Sequence, residues 1–265
     1  MKFVQRDMGA AAEASNPGSN AMRREIVFLV CTTAAIMAVV YVGVGWLVEL
    51  TLPHISAERE KAWFQHFSLT AHRVEPVTPL ERTRFNAAQQ NLARLTAQPG
   101  VLALDYQLVL LADETPNAFA FPGGTIGLTR GMLQLLDDDI SIGFVLSHEL
   151  GHFAHRDHLR GVGRAFGRAL VMGLIFGNTG DVLTTHATTL FDLAHSRSAE
   201  TAADLFGLQL VQRVYGQTEG SERLFSWLEN HQRLPGWTRW LQTHPDPGDR
   251  IQTLRAAAKS PAPAH

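Results

Sequence analysis

Residues 26–48 (IVFLVCTTAAIMAVVYVGVGWLV) form a run of 23 positions without a charge. A helix needs about 20 apolar residues to cross the hydrocarbon core of a bilayer. Hydrocarbon offers no partner to backbone N–H and C=O groups, so a segment crossing it alone must be helical. Soluble helices that are apolar on every side are uncommon. A cleaved signal peptide would have a shorter apolar run followed by a small-x-small site, and none follows here. Tyr41 and Trp46 stand toward the far end, where amphipathic rings suit the interface. Cys31, the only cysteine, lies early in the run with Val30 before it, which does not fit a lipid-attachment signal. A single cysteine also excludes an intrachain disulfide and a cysteine-built zinc site.

Lys2, Arg6, Arg23 and Arg24 precede the run, and Glu49, Glu58 and Glu60 follow it, with Arg59 and Lys61 among them. The positive-inside rule therefore puts the N-terminus in the cytoplasm and the bulk of the chain on the periplasmic or extracytoplasmic side, held to the lipid bilayer by one span. A chain of 265 residues can bury one sizeable core. Its net charge of −2 offers no basic surplus for nucleic acid.

Past the span, local pattern predicts mostly helices with one β-rich patch. Helices are expected over 56–67, with Ser56 as cap, and over 80–98, ended by Pro99-Gly100. Residues 106–112 (YQLVLLA) read as a strand, and 117–128 (NAFAFPGGTIGL) as a hairpin turning at Pro122-Gly123-Gly124. A helix begins at Arg130. An aspartate of the 137–139 run caps the next, which continues from about Ile140 past His152. Residues 161–177 are apolar but interrupted by Arg164 and Arg168. Their uncharged core is too short to span, so this stretch is expected to be a hydrophobic loop or short helix dipping into the membrane face. Two further helices cover 192–214 and 221–232.

The chemistry concentrates in His148-Glu149-Leu150-Gly151-His152. Residues i and i+4 share a helix face, so His148 and His152 can aim two imidazoles at one ion. Glu149 stands about 100° round the helix, beside that ion, where a carboxylate can take a proton from water. Zinc suits two nitrogens, one oxygen and an open position. Phe144, Val145, Leu146 and Leu150 mark the helix as buried, and burying two histidines and a glutamate without partners is costly.

The third donor has two candidates. His158 would suit an HExxHxxGxxH pattern, in which a glycine turns the chain back to the metal. That position holds His155 here. If the helix simply continues, His158 lies about 9 Å beyond His152 along the axis. His155, one turn past His152, is expected to be a supporting or structural residue. The competing donor is Glu200 in ETAAD, on a later helix in which Ala199, Ala202 and Ala203 permit close packing. Asp204, one turn on, can accept from the other nitrogen of a ligand histidine and fix its tautomer.

The ordered motifs NAFAFPGGTIGLTRGML, SHELGHFAHRD, SRSAETAAD and THPDPGDRI, spread over residues 105–254, make the chain resemble the membrane-associated zinc endopeptidases that include the CAAX prenyl protease and the HtpX heat-shock protease. The resemblance implies one Zn2+ at His148, His152 and Glu200, with Glu149 as catalytic base. It further implies that the strand Asn117, Ala118, Phe119 and Ala120 pairs with the backbone of a polypeptide substrate. His244, in a loop, is expected to donate to the oxyanion. Arg250 either shares that role or anchors the loop through an acid. Multi-span members carry several membrane helices; this chain has one clear span and looks more like the single-span or envelope members, so cleavage of prenylated substrates is not implied. The expected fold class is α+β: a mainly helical gluzincin-like domain with a small β-sheet, preceded by one transmembrane helix. The expected division is a cytoplasmic tail (1–25), the span (26–48), a helical linker region (49–100), the zinc metalloprotease domain (101–258) and a disordered tail (259–265). The expected substrates are unfolded or damaged envelope or membrane proteins, and homo-oligomerisation is left open. A rival reading is a chaperone or assembly factor whose metal site is closed by its own 156–186 segment or by a nearby histidine.

Overall fold

The apolar run lies inside α1 (Ser19–Thr51), which stands clear of the rest of the chain over most of its surface. The computed structural model describes residues 19–64, 73–176, 195–230, 243–244, 250, 252–254 and 256–257. Residues 1–18 and 258–265, Pro245, and the 177–186 part of the 156–186 segment expected to cover the site lie outside these residues. Within residues 21–54, the 18-residue window that could cross a membrane has none of its positions buried. An unburied apolar surface of that length would be strongly unfavourable in water. The chain is a membrane protein on this ground.

A short 3₁₀ turn (Leu52–His54) leads to α2 (Ala57–Phe64), where the Ser56 hydroxyl accepts from the Arg59 N–H. Next comes α3 (Pro79–Thr96), begun by a box in which Thr78 Oγ1 accepts from Glu81 N–H and Glu81 reaches back to Val77 N–H. Strands β1 (Gln107–Leu111), β2 (Ala118–Phe121) and β3 (Thr125–Thr129) form one sheet in the order β1-β3-β2. The expected hairpin is β2 and β3, antiparallel around Pro122-Gly123-Gly124, with both glycines at positive φ. β1 joins β3 in parallel. β2 is therefore an edge strand.

Helix α4 (Arg130–Leu135) follows β3 directly. Asp138 then caps α5 (Asp139–Ala154), its Oδ1 accepting from Ile140 and Ser141 N–H. α5 is the axis of the domain and is buried on nearly every side. α3, the sheet and α7 (Arg197–Tyr215) pack around it. Ser196 caps α7 and Gly216 ends it in the left-handed conformation. α8 (Arg223–Asn230) follows.

Residues 161–177, expected to be a loop or short helix, prove different. Residues 161–176 belong to α6 (Asp157–Phe176), a continuous 20-residue helix, and 177 lies outside the described residues. α6 packs on α1, a partner that local pattern does not reveal. The fold is mainly helical with a small sheet and one apolar N-terminal helix.

Candidate metal centre

Two close approaches bring α5 and α7 together. At Gly151 a Cβ would stand 2.8 Å from Ala203 Cα, and at Gly207 it would stand 3.1 Å from His148 N. Larger residues at either point would push the helices apart. Glu200 and Asp204, one turn apart on α7, thereby face His148 and His152 on α5.

The donor atoms converge. His148 Nε2 and His152 Nε2 are 3.1 Å apart. Glu200 lies 3.6 Å from the first through Oε2 and 3.4 Å from the second through Oε1. His244 Nδ1 lies 3.4 Å from His148 Nε2 and 3.1 Å from both Glu200 oxygens. A tetrahedral zinc with bonds of about 2.0–2.1 Å needs donors roughly 3.3–3.4 Å apart. The measured separations scatter about that value, and two imidazole nitrogens and a carboxylate oxygen are the right chemistry. The residues present fit a zinc ion, and all four are buried.

Supporting groups lock the rings. Asp204 Oδ1 lies 2.9 Å from His148 Nδ1, and Asp157 Oδ2 lies 3.0 Å from His152 Nδ1. Each carboxylate holds a ring with its Nε2 toward the centre. Arg250 grips Asp204 through two contacts of 2.7 Å and Glu200 through one of 2.6 Å, while its guanidinium stacks over Phe225 at 4.9 Å. In the structure, Arg250 thus engages acids. Burial opposes the ionised forms of Glu200 and Asp204, but His244 and Arg250 hold the Glu200 carboxyl well below the usual range, and Arg250 lowers Asp204. Burial likewise opposes a cation at His152, yet Asp157 and Glu200 outweigh it and push the ring up to about 10. Burial dominates at His148 and lowers it.

Glu149 is 1% exposed, and its Oε2 has no hydrogen-bond partner among the described residues. Its Oε1 lies 3.9 Å from His244 Nε2, which is itself 3.5 Å from the carbonyl of Ala118 on β2. The edge strand thus borders the centre. Asn117 and Ala118 are buried, with Asn117 Nδ2 toward Thr243 Oγ1, whereas Phe119 and Ala120 are half-exposed. A small pocket walled by Met132, Phe144, Val145, Leu224 and Phe225 opens beside Glu149.

The chain carries the centre's features in recognisable order, from edge strand through HExxH to the Glu200–Asp204 helix. Residues 82–258 match the family described as "Peptidase family M48". The chain belongs to peptidase family M48. Members of this family are zinc-dependent metallopeptidases. Among M48-like relatives, the bovine mitochondrial metalloendopeptidase OMA1 is 27% identical over 59% of this chain and 33% of its own length. The mitochondrial metalloendopeptidase OMA1 of Schizosaccharomyces pombe is 28% identical over 62% of this chain and 50% of its own. A protease HtpX homolog of Methanopyrus kandleri is 28% identical over 66% of this chain and 68% of its own. The chain spans about a third to a half of the length of the two OMA1 relatives.

The other histidines separate clearly. His158 does not face the centre. The premise of a continuing helix fails, because α5 caps at His155 and Arg156 turns the chain at φ 62°, without a glycine. His158 then sits in the first turn of α6, with Nε2 2.8 Å from Glu60 Oε1 and Nδ1 3.2 Å from the carbonyl of His152. His155 is exposed, its ring 6.1 Å from that of Phe206. Sequence reasoning missed Asp157 and His195. Asp157 follows the helix end inside the HRD triplet, the only local signal for it. His195 stacks on His152 with ring centroids 3.8 Å apart, and no local pattern announces it.

Proposed function

We propose that this chain is a membrane-anchored zinc-dependent endopeptidase that hydrolyses peptide bonds in unfolded or damaged membrane or envelope polypeptides. The carrying observation is the buried Glu149 carboxylate, whose Oε2 has no hydrogen-bond partner among the described residues, beside converging donors at zinc-like spacing. His148, His152 and Glu200 would hold the ion, and bound zinc would supply a Lewis acid for the scissile carbonyl. Glu149 takes the proton of the attacking water and returns it to the leaving amine nitrogen. Asp204 and Asp157 keep the two rings oriented, and Arg250 holds both Asp204 and Glu200. Substrate in extended form lies along edge strand β2, so main-chain hydrogen bonds supply affinity with little demand on sequence. The charges flanking α1 favour a cytoplasmic N-terminus and an extracytoplasmic catalytic domain.

Unfolded casein is the test substrate. The purified chain should degrade it with zinc present and stop when a chelator is added. Glu149→Gln should keep its zinc and lose about 10²- to 10⁴-fold in rate. Unchanged hydrolysis by Glu149→Gln would overturn the assignment.

A second reading, a closed and mostly latent site serving a chaperone or assembly role, is favoured by one observation: His244 Nδ1 stands at the fourth corner of the donor set. The reading of His244 as an oxyanion donor requires it to leave that corner. His244→Ala separates the two. Faster casein hydrolysis marks a closing role, and slower hydrolysis marks the oxyanion role.

A further inference from the structure

α6 has a register against α1 that sets its depth. A Cβ at Gly163 would stand 2.5 Å from Val48 Cγ2, and one at Gly167 would stand 3.0 Å from Val44 Cγ1. Four residues forward on α6 match four residues back on α1, so the helices run antiparallel in close contact. Between residues 22 and 51 of α1, the partly buried positions are Met37, Val40, Val44, Gly45 and Val48, one stripe at helical spacing. The same register puts Val40 and Met37 level with residues 171 and 174. The covering of α1 by α6 therefore extends into the part of the apolar run that the hydrocarbon would surround.

We infer that the C-terminal half of α6 enters the bilayer beside α1, so that lipid is the partner of its outer face. This rests on the reading of α1 as a membrane span. The distance from Gly163 to Phe176 is about 20 Å at 1.5 Å per residue, beyond the middle of a core about 30 Å thick. No charge follows Arg168 in the helix, and residues 169–176 read ALVMGLIF. Phe166 and Met172 turn outward, 52% and 38% exposed. A water-facing position for Met172 would require α6 to leave the span that it packs against. At its other end, Arg160 contacts both Glu49 oxygens at 2.9 and 3.0 Å and Asp157 at 3.0 Å. Asp157 holds His152. The base of the two-helix unit thus adjoins the metal centre, which lies close to the membrane surface.

The test uses the full chain in proteoliposomes, with Cys31→Ala removing the only cysteine. A nitroxide is attached in turn to M172C, to V39C in α1 and to Q90C on exposed α3. Collision rates with oxygen, enriched in hydrocarbon, and with a water-soluble nickel chelate report depth. M172C should match V39C, with high oxygen and low nickel rates. Matching Q90C while V39C stays lipid-like would overturn the inference and leave the span reading intact. If V39C is also water-like, both fall. Low rates with both agents at M172C would mean that protein covers this face, a second copy being the first candidate, and would equally overturn the inference. F166C repeats the measurement nearer the surface.

Discussion

Two buried histidine–carboxylate clusters sit near one another at the C-terminal part of α5, and they behave oppositely. In the first, His148, His152 and Glu200 point donors inward at one another, and Glu149 keeps an oxygen without a partner among the described residues. In the second, Glu60 of α2 is fully buried and fully matched. Its Oε1 receives His158 Nε2 at 2.8 Å and the Gly123 N–H at 2.9 Å, and its Oε2 meets the Arg156 guanidinium. Arg156 also donates to the carbonyl of Ile55. A buried lone pair facing another lone pair calls for a cation, whereas a buried charge with all its partners in place is already complete. The contrast teaches how to tell a metal centre from a structural node made of the same residue types.

The sharpest way to break the comparison is metal content. His152→Ala or Glu200→Gln should lose the bound zinc, while His158→Ala should keep it, read as zinc per chain after dialysis. Zinc loss in His158→Ala would erase the distinction. Next in size is stability. Glu60→Ala leaves Arg156 and His158 without their anion and should cost about 3 kcal/mol, read by denaturant unfolding of the zinc-loaded protein, with donor spacing at the centre unchanged.

Asp157→Asn should weaken zinc binding about 10- to 100-fold, because Asp157 holds the His152 ring, and competition with a chelator of known affinity would measure it. The smallest effect is acid dependence. Burial opposes the Glu60 carboxylate, but His158, Gly123 and Arg156 outweigh it and leave its pKa below 4.5. The ionised form therefore stabilises the fold at neutral pH, and that contribution is lost as pH falls below 4.5. Unfolding free energy should decline less steeply there in Glu60→Gln than in the native chain.

Much of the fold was legible because it is written in local periodicity. The hairpin, the capped α5 and the apolar run each carry their own signals. The site was legible in part. Two histidines four apart state their shared face, but the 47 residues between His152 and Glu200 say nothing of where the second helix docks. His244 is further away still, and it was singled out by the THPDPGDRI motif of the family resemblance rather than by periodicity. Glu60 looked like one more charge after the span. Its burial depends on Arg156 turning the chain at a positive φ, a conformation that no glycine advertises.

By itself, the order of residues determined that one segment must be a lone apolar helix and that another must carry two imidazoles on a buried face, since both follow from repeat distance and side-chain chemistry. Only the tertiary structure brought Glu200 against the two histidines, turned His158 away from them onto Glu60, and laid α6 along the apolar helix. Those outcomes rest on close approach at Gly151, Gly207, Gly163 and Gly167, where the missing side chain matters only once the opposing helix is in place.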